Sequence, residues 1–286
     1  MKKRWQRRRI VEGLIKGLML VSLIIVAGCL GLILWAVISK GLPALNWDMI
    51  SKTPRGGFYM GKEGGVLNAI IGSIYLASGG TFLALVISLP IALYLKTYLG
   101  KSSWGRYVRL SLDVLWGIPS IVYGAFGFIL MLALGLHASL LAGIIVLGLI
   151  ELPIMVRAMD EVIRRMPADL EQAALALGST RLEVALHVVS RQMLPGIITA
   201  ILLAFGRGIG DAASVLFTAG YTDRIPTSLM QPTASLPLAV FFQLSTPYPQ
   251  VQQRGYASAV ILTIIVLLIS LGSRWISGRL NKYSVK

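Results

Sequence analysis

Charge is scarce in this chain: only 14% of its 286 residues are Asp, Glu, Lys or Arg, while 56% are hydrophobic. An ordinary soluble domain carries roughly 25% charge, so too little polar surface is present here to cover a soluble bundle. Cysteine occurs once, as Cys29 in an apolar stretch, which excludes a disulfide scaffold and a cysteine-rich metal site. The two histidines, His137 and His187, fall in separate connections and cannot assemble a histidine-rich zinc site. No metal site and no catalytic residue are therefore expected. Absent too are GxxxxGK followed by Ser or Thr, HExxH and GxSxG, so ATP hydrolysis and intramembrane protease or transferase chemistry have nothing to run on. The glycines of GRGIGD sit in an apolar run rather than after a strand, unlike a nucleotide loop. No internal repeat or low-complexity segment is visible, and nothing points to the symmetric rings of an ion channel.

What the chain has instead is recurring apolar windows long enough to cross about 30 Å of hydrocarbon as helices. Six spans are predicted, over residues 18–39, 70–95, 110–134, 140–156, 197–219 and 256–276. The fold class is thus all-α integral membrane protein. Pro90, Pro119 and Pro153 fall within or at the ends of spans, where each removes a helix hydrogen bond and is expected to kink or end the helix. Lys40, Lys52, Arg55, Lys62, Arg224 and Arg254 are the basic residues on one side of these spans, whereas most of the 27 lie on the other. That asymmetry predicts both termini in the cytosol. The opening KKRWQRRRI reads as a topology anchor rather than a nucleic-acid or targeting signal, and the first span as an uncleaved helix. No nucleic-acid partner is expected; the +15 net charge should face anionic lipid. The domain plan is a basic N-terminus (1–17), one membrane domain (18–276) with a cytosolic connection over 157–195, and a cytosolic tail (277–286). The outer connection 41–68 should fold back over the outer face, and 220–255 looks like a re-entrant or interfacial cover.

Between the fourth and fifth spans stands a surface-type helix pair, RRMPADLEQAALALGSTRLEVALHVVSRQMLPG. Pro167 suits a first-turn position, Asp169 and Glu171 supply acid near a helix N-terminus, and Gly178 makes a turn before a second helix from about Thr180. Ala173, Ala174 and Leu177 form a small-residue face beside the polar Glu171 and Gln172. A helix this short is marginal in water and needs a surface to pack on. From pattern alone, that surface is equally its own spans or a partner.

The stretch QAALALG resembles the cytoplasmic "EAA" loop of ABC-importer permeases, whose coupling helix docks on the ATP-binding subunit. Gln172 stands where that loop usually carries glutamate, with Glu171 one residue earlier, and Gly178 matches its glycine. Further blocks follow in order: GGVLNAIIGSIYL, SLPIALYLKTY, LDVLWGIPSIVYGAFGF, ELPIMVRAMDEVIRRMP and GRGIGDAASVLFTAG. Together they resemble the PstA-type permeases of phosphate ABC importers, within the binding-protein-dependent transport permease family. The resemblance implies a six-span type I importer fold in a bacterial or archaeal cytoplasmic membrane. It also implies a PstC-type permease as heterodimer partner, two PstB-type ATP-binding subunits using Mg-ATP, and an extracytoplasmic phosphate-binding protein. No cofactor is expected on this chain itself. The docking surface implied is Glu171, Gln172, Ala173, Ala174, Leu177 and Gly178.

Charges at membrane depth carry the remaining expectation. Arg207 and Asp211 are four apart, on one face of a continued helix, and an isolated ion there costs several kcal/mol. Phosphate needs cationic or amide donors, and arginine's planar fork can grip it in bidentate fashion. Arg207 is expected to meet the anion while Asp211 balances the empty path; the alternative is a salt bridge that only fixes packing. The family motif carries glutamate where Asp211 stands. Ser120, after the proline break, can satisfy freed backbone groups or line the path, and Tyr123 is placed on the path face. Gly124 and Gly127 suit close helix packing. Arg55 and Lys62 either attract anions or are ordinary solvated charges. An Arg-bearing path would equally suit molybdate or sulfate, and a stand-alone secondary phosphate transporter is the remaining alternative.

Overall fold

The apolar runs resolve into twelve α-helices in a computed structural model, which describes residues 2–55, 64–100, 102–164 and 166–280. Lys62 and the last six residues lie outside these. In chain order the helices are α1 (Lys2–Gly41), α2 (Trp47–Ser51), α3 (Leu67–Thr97), α4 (Ser103–Gly117), α5 (Ser120–Ala133) and α6 (Leu140–Arg164). There follow α7 (Ala168–Ala176), α8 (Arg181–Glu183), α9 (Ser190–Gln192), α10 (Leu194–Ile209), α11 (Leu236–Leu244) and α12 (Pro249–Leu280). A π-helical turn, Val184–Val189, joins α8 to α9. Among the described residues every regular element is a helix.

Four helices are long and apolar enough to cross a membrane on their own, and two bent pairs raise this to six if each pair is one span. The third predicted span is therefore broken between α4 and α5, and the helix of the fifth follows a bend after Gln192 and stops at Ile209, short of the predicted 219. Helices α4 and α5 meet at 95°. The reason is local: Ile118, preceding a proline, is pushed into extended backbone (φ −73°, ψ 129°), and Pro119 itself follows at ψ 140°. Pro90 and Pro153 do not end their helices, since α3 and α6 run on through them. A transmembrane helix tolerates an internal proline where neighbouring groups satisfy the freed carbonyl. The fourth span is also longer than predicted, which makes Arg157 and Asp160 part of α6 rather than of a connection.

The core lies where α3, α6 and α10 converge. At the end nearest α7, Ala84, Met155, Met159, Ile163, Val184, Val189 and Ala204 form one buried cluster, and Leu170 and Ala174 of α7 pack on it. At the opposite end Met49, Val66, Ala69, Leu236, Ala239 and Ala257 form another. Helix α11 belongs to that second cluster, with Leu236 and Leu238 fully buried, and the Leu236 amide donates to Ser73 Oγ of α3 at 2.7 Å. Asn68 Nδ2 donates to the Thr222 carbonyl at 2.6 Å. The 220–255 connection is thus folded into the bundle rather than draped across it. Helix α1 stands apart: the apolar window of its span is 0% buried, and it packs on α12 through its far end, where Lys40 lies over the Tyr256 ring.

Candidate functional site: a charged cluster at the end of α10

Helix α10 ends early. Arg207 lies in its last turn, and Gly210 closes it with its amide directed to the Arg207 and Gly208 carbonyls. Asp211 is consequently outside the helix, not on its face as the four-residue spacing predicts. The two residues still meet. Arg207 Nη2 lies 3.7 Å from Asp211 Oδ2, with the Arg207 side chain 53% exposed and that of Asp211 only 3%. Asp211 Oδ1 accepts the Ser214 amide at 3.1 Å, which ties the carboxylate to the turn that follows. Oδ2 has no hydrogen-bond partner. The geometry is one of a fixed acid holding an accessible guanidinium loosely, at ion-pair but not hydrogen-bond distance.

A residue that the sequence reading passed over completes the cluster. Glu151 of α6 is fully buried, its Oε2 accepting from Thr81 Oγ1 of α3 at 2.8 Å. Its Oε1 has no hydrogen-bond partner and lies against Gly208, where a Cβ would stand 2.0 Å from it. Helices α3, α6 and α10 and the turn after α10 therefore bring buried Thr81, Glu151 and Asp211 and the half-exposed Arg207 to one end of α10. The signal was available: a carboxylate in the apolar run LLAGIIVLGLIELPIMV is by itself a functional candidate.

The other path candidates are placed beside this cluster without joining it. Gly124 of α5 packs on the chain just after Asp211, a Cβ there falling 2.7 Å from the Ala213 carbonyl. Tyr123 spans the Pro119 break, its hydroxyl donating to the Leu115 carbonyl of α4 at 3.0 Å. Pro119, the N-cap of α5, offers no side-chain cap, and the Tyr123 hydroxyl meets the Leu115 carbonyl that an amide at position 119 would otherwise reach. Among the described residues, no hydrogen bond or ion pair links Ser120 or Tyr123 to Arg207 or Asp211.

The expected docking surface divides. Gln172, Ala173 and Leu177 are exposed, Leu177 to 87%. Ala174 instead packs on the bundle core, and Glu171 turns toward Lys96 of α3 at 3.8 Å. Gly178 adopts φ +90°, and the amides of Leu177, Gly178 and Ser179 return to the carbonyls of Ala173, Leu175 and Ala174. Thr180 and Glu183 then start α8 with a reciprocal capping box. Behind α7 lies a second charged cluster that the sequence did not predict. Arg109 of α4 grips Asp160 of α6 through two bonds of 2.8 and 3.1 Å and reaches the Leu95 carbonyl of α3. Arg157 pairs with Asp113 at 2.7 Å.

A family model described as the binding-protein-dependent transport system inner membrane component matches residues 85–283. The chain belongs to this family. It is a multi-pass inner-membrane permease, and ATP hydrolysis in such systems resides in separate subunits. The permease is similar to a protein of Xylella fastidiosa named phosphate transport system permease protein PstA, at 38% identity over 83% of this chain and 82% of that one. A Haemophilus influenzae protein of the same name is 32% identical over 95% of each chain. Among solved structures, the inward-facing MetNI methionine ABC transporter matches with a TM-score of 0.62 and 18% identity, over 74% of this chain and 94% of that chain. That likeness concerns the fold, the type I importer permease.

Proposed function

We propose that this permease forms part of the membrane path of an ATP-driven phosphate importer, paired with a PstC-type permease. Two PstB-type ATP-binding subunits, using Mg-ATP, dock from the cytosol on Gln172, Ala173 and Leu177, and an extracytoplasmic phosphate-binding protein delivers the anion. Both termini are cytosolic in this reading, with the basic N-terminus facing anionic lipid. The observation that carries it is the half-exposed Arg207 guanidinium held by the buried Asp211 carboxylate, in a chain whose relatives are named phosphate transport permeases. A guanidinium can offer phosphate two parallel N–H donors. Asp211 competes for the same fork, so the anion is attracted without being trapped, and the cation is never left bare when no anion is present. Ser120 and Tyr123 shape the neighbouring wall, and Pro119 sets its bend.

The test is reconstitution of the complete importer in proteoliposomes and measurement of labelled phosphate uptake. Arg207→Lys keeps the charge and loses the fork; uptake should fall about tenfold, or ~1.4 kcal/mol, with assembly unchanged. Disappearance of the assembled subunit in both the Lys and Gln variants would instead make the pair a packing brace. Uptake without ATP or partner subunits would identify a secondary transporter, and stronger competition by molybdate or sulfate than by phosphate another oxyanion permease.

A further inference from the structure

We infer that the cleft between the α7 end of α3 and helix α7 is a binding site for a phosphate-class oxyanion, which latches the docking helix to the bundle. The cleft has a volume of about 650 Å³ and is lined by Lys96, Arg109, Arg164 and Arg181, with Glu171 the one carboxylate on its wall. Two of the cations are already answered. Arg109 is held by Asp160, and Lys96 faces Glu171 at 3.8 Å. Arg164 and Arg181 have no ion-pair partner among the described residues. Two guanidiniums therefore remain uncompensated on one concave surface, the charge and fork geometry that a tetrahedral phosphate group matches.

The donors also come from different elements. Lys96 belongs to α3, Arg164 to the end of α6, Arg181 to α8, and Gln172 of α7 adds an amide to the same wall. An anion seated among them would bridge both helices flanking α7 and restrict the helix through which the ATP-binding subunit drives the bundle. The occupant is either free orthophosphate on the cytosolic side or the headgroup phosphate of an anionic lipid, since this cleft lies at the ends of the two apolar helices α3 and α6. The inference rests on the cytosolic placement of α7 in the proposed function.

The complete importer in phosphatidylcholine nanodiscs, with its binding protein, is assayed for ATPase activity. Stimulation by low phosphate first establishes the importer; its loss in the unmodified protein would count against the phosphate reading and not against the cleft. Orthophosphate is then raised far above the stimulating range. Occupation of the cleft slows hydrolysis, and R164Q/R181Q raises the half-inhibiting concentration by about tenfold. Product inhibition at the ATPase itself is common to both proteins and cancels. In a second arm phosphatidylglycerol replaces part of the lipid. If lipid is the occupant, anionic nanodiscs slow the unmodified importer and not the variant, and orthophosphate adds no difference between them. R164K/R181K preserves charge without the forks and should shift either response partially, which keeps the test available if the Gln pair fails to assemble. Superimposed curves for unmodified and variant importers in both arms would overturn the inference.

Discussion

Glu151 has no exposed surface, and one of its two carboxyl oxygens has no hydrogen-bond partner. Burying a carboxyl group in this way is costly unless its neighbours define its position, and here they do. Thr81 donates to one oxygen, and the missing side chain of Gly208 makes room for the other. Shape and acceptor capacity at this point matter more than an added charge beside Asp211. Glu151→Gln keeps both the volume and the acceptor, so assembly should be retained, whereas Glu151→Ala strands Thr81 and opens a cavity, at a cost of ~2–5 kcal/mol. Gly208→Ala drives a methyl into Glu151 and should cost ~1–3 kcal/mol by overpacking. Thermal unfolding of the detergent-solubilised subunit pair, alongside membrane abundance, reads all three. Glu151→Gln as unstable as Glu151→Ala would show that the ionised group itself is required.

At the scale of elements, α7 and its exit turn form one unit with a single conformational requirement. Gly178 at φ +90° stops α7, and only after that turn can Thr180 and Glu183 begin the next helix. A side chain at this φ is strained by about 1 kcal/mol or more. Gly178→Ala is therefore expected to shift Leu177 relative to the bundle and to reduce co-purification of the ATP-binding subunit several-fold, while the permease still reaches the membrane. Normal recovery of that subunit would show that the turn is not needed for docking. These elements were legible in the sequence because their signals are local: a proline start, an acidic first turn, a glycine stop. Membrane spans were legible for the same reason, from length and apolarity. The break at Pro119 was only half legible. The same residue type in Pro90 and Pro153 leaves its helix continuous, because the outcome depends on neighbouring groups in space. Asp211 leaving the helix was hidden likewise: a four-residue spacing gives a shared face only if the helix continues, and Gly210 ends it.

At the scale of the whole molecule, the proposed function requires motion at α7 to reach Arg207 in the last turn of α10. The connection is rigid in two ways. Apolar side chains from α7, the π-helical turn and α10 share one cluster with α3 and α6. Beside it, Asp160 collects Arg109 from α4 and, at 3.9 Å, Arg157 from its own helix, while Arg109 also reaches the carbonyl of Leu95, next to the Lys96 that faces Glu171. Apart from Arg157 and Asp160, three apart on α6, these partners are distant in sequence and were not visible before folding brought them together. Asp160→Asn keeps the volume and removes the charge that joins α4 to α6. Removing one member of a buried pair commonly costs ~3–5 kcal/mol, but Arg109 lies near the bundle end and retains the Leu95 carbonyl, so the fold should survive at the lower end of that cost. What should fail is transmission: ATP hydrolysis continues while phosphate moved per ATP falls several-fold, measured as the ratio of labelled uptake to phosphate release from ATP in one proteoliposome preparation. A general loss of stability would lower both rates together and leave the ratio unchanged. An unchanged ratio would place the coupling in the apolar cluster alone, and the ion pairs would then be anchors for α4.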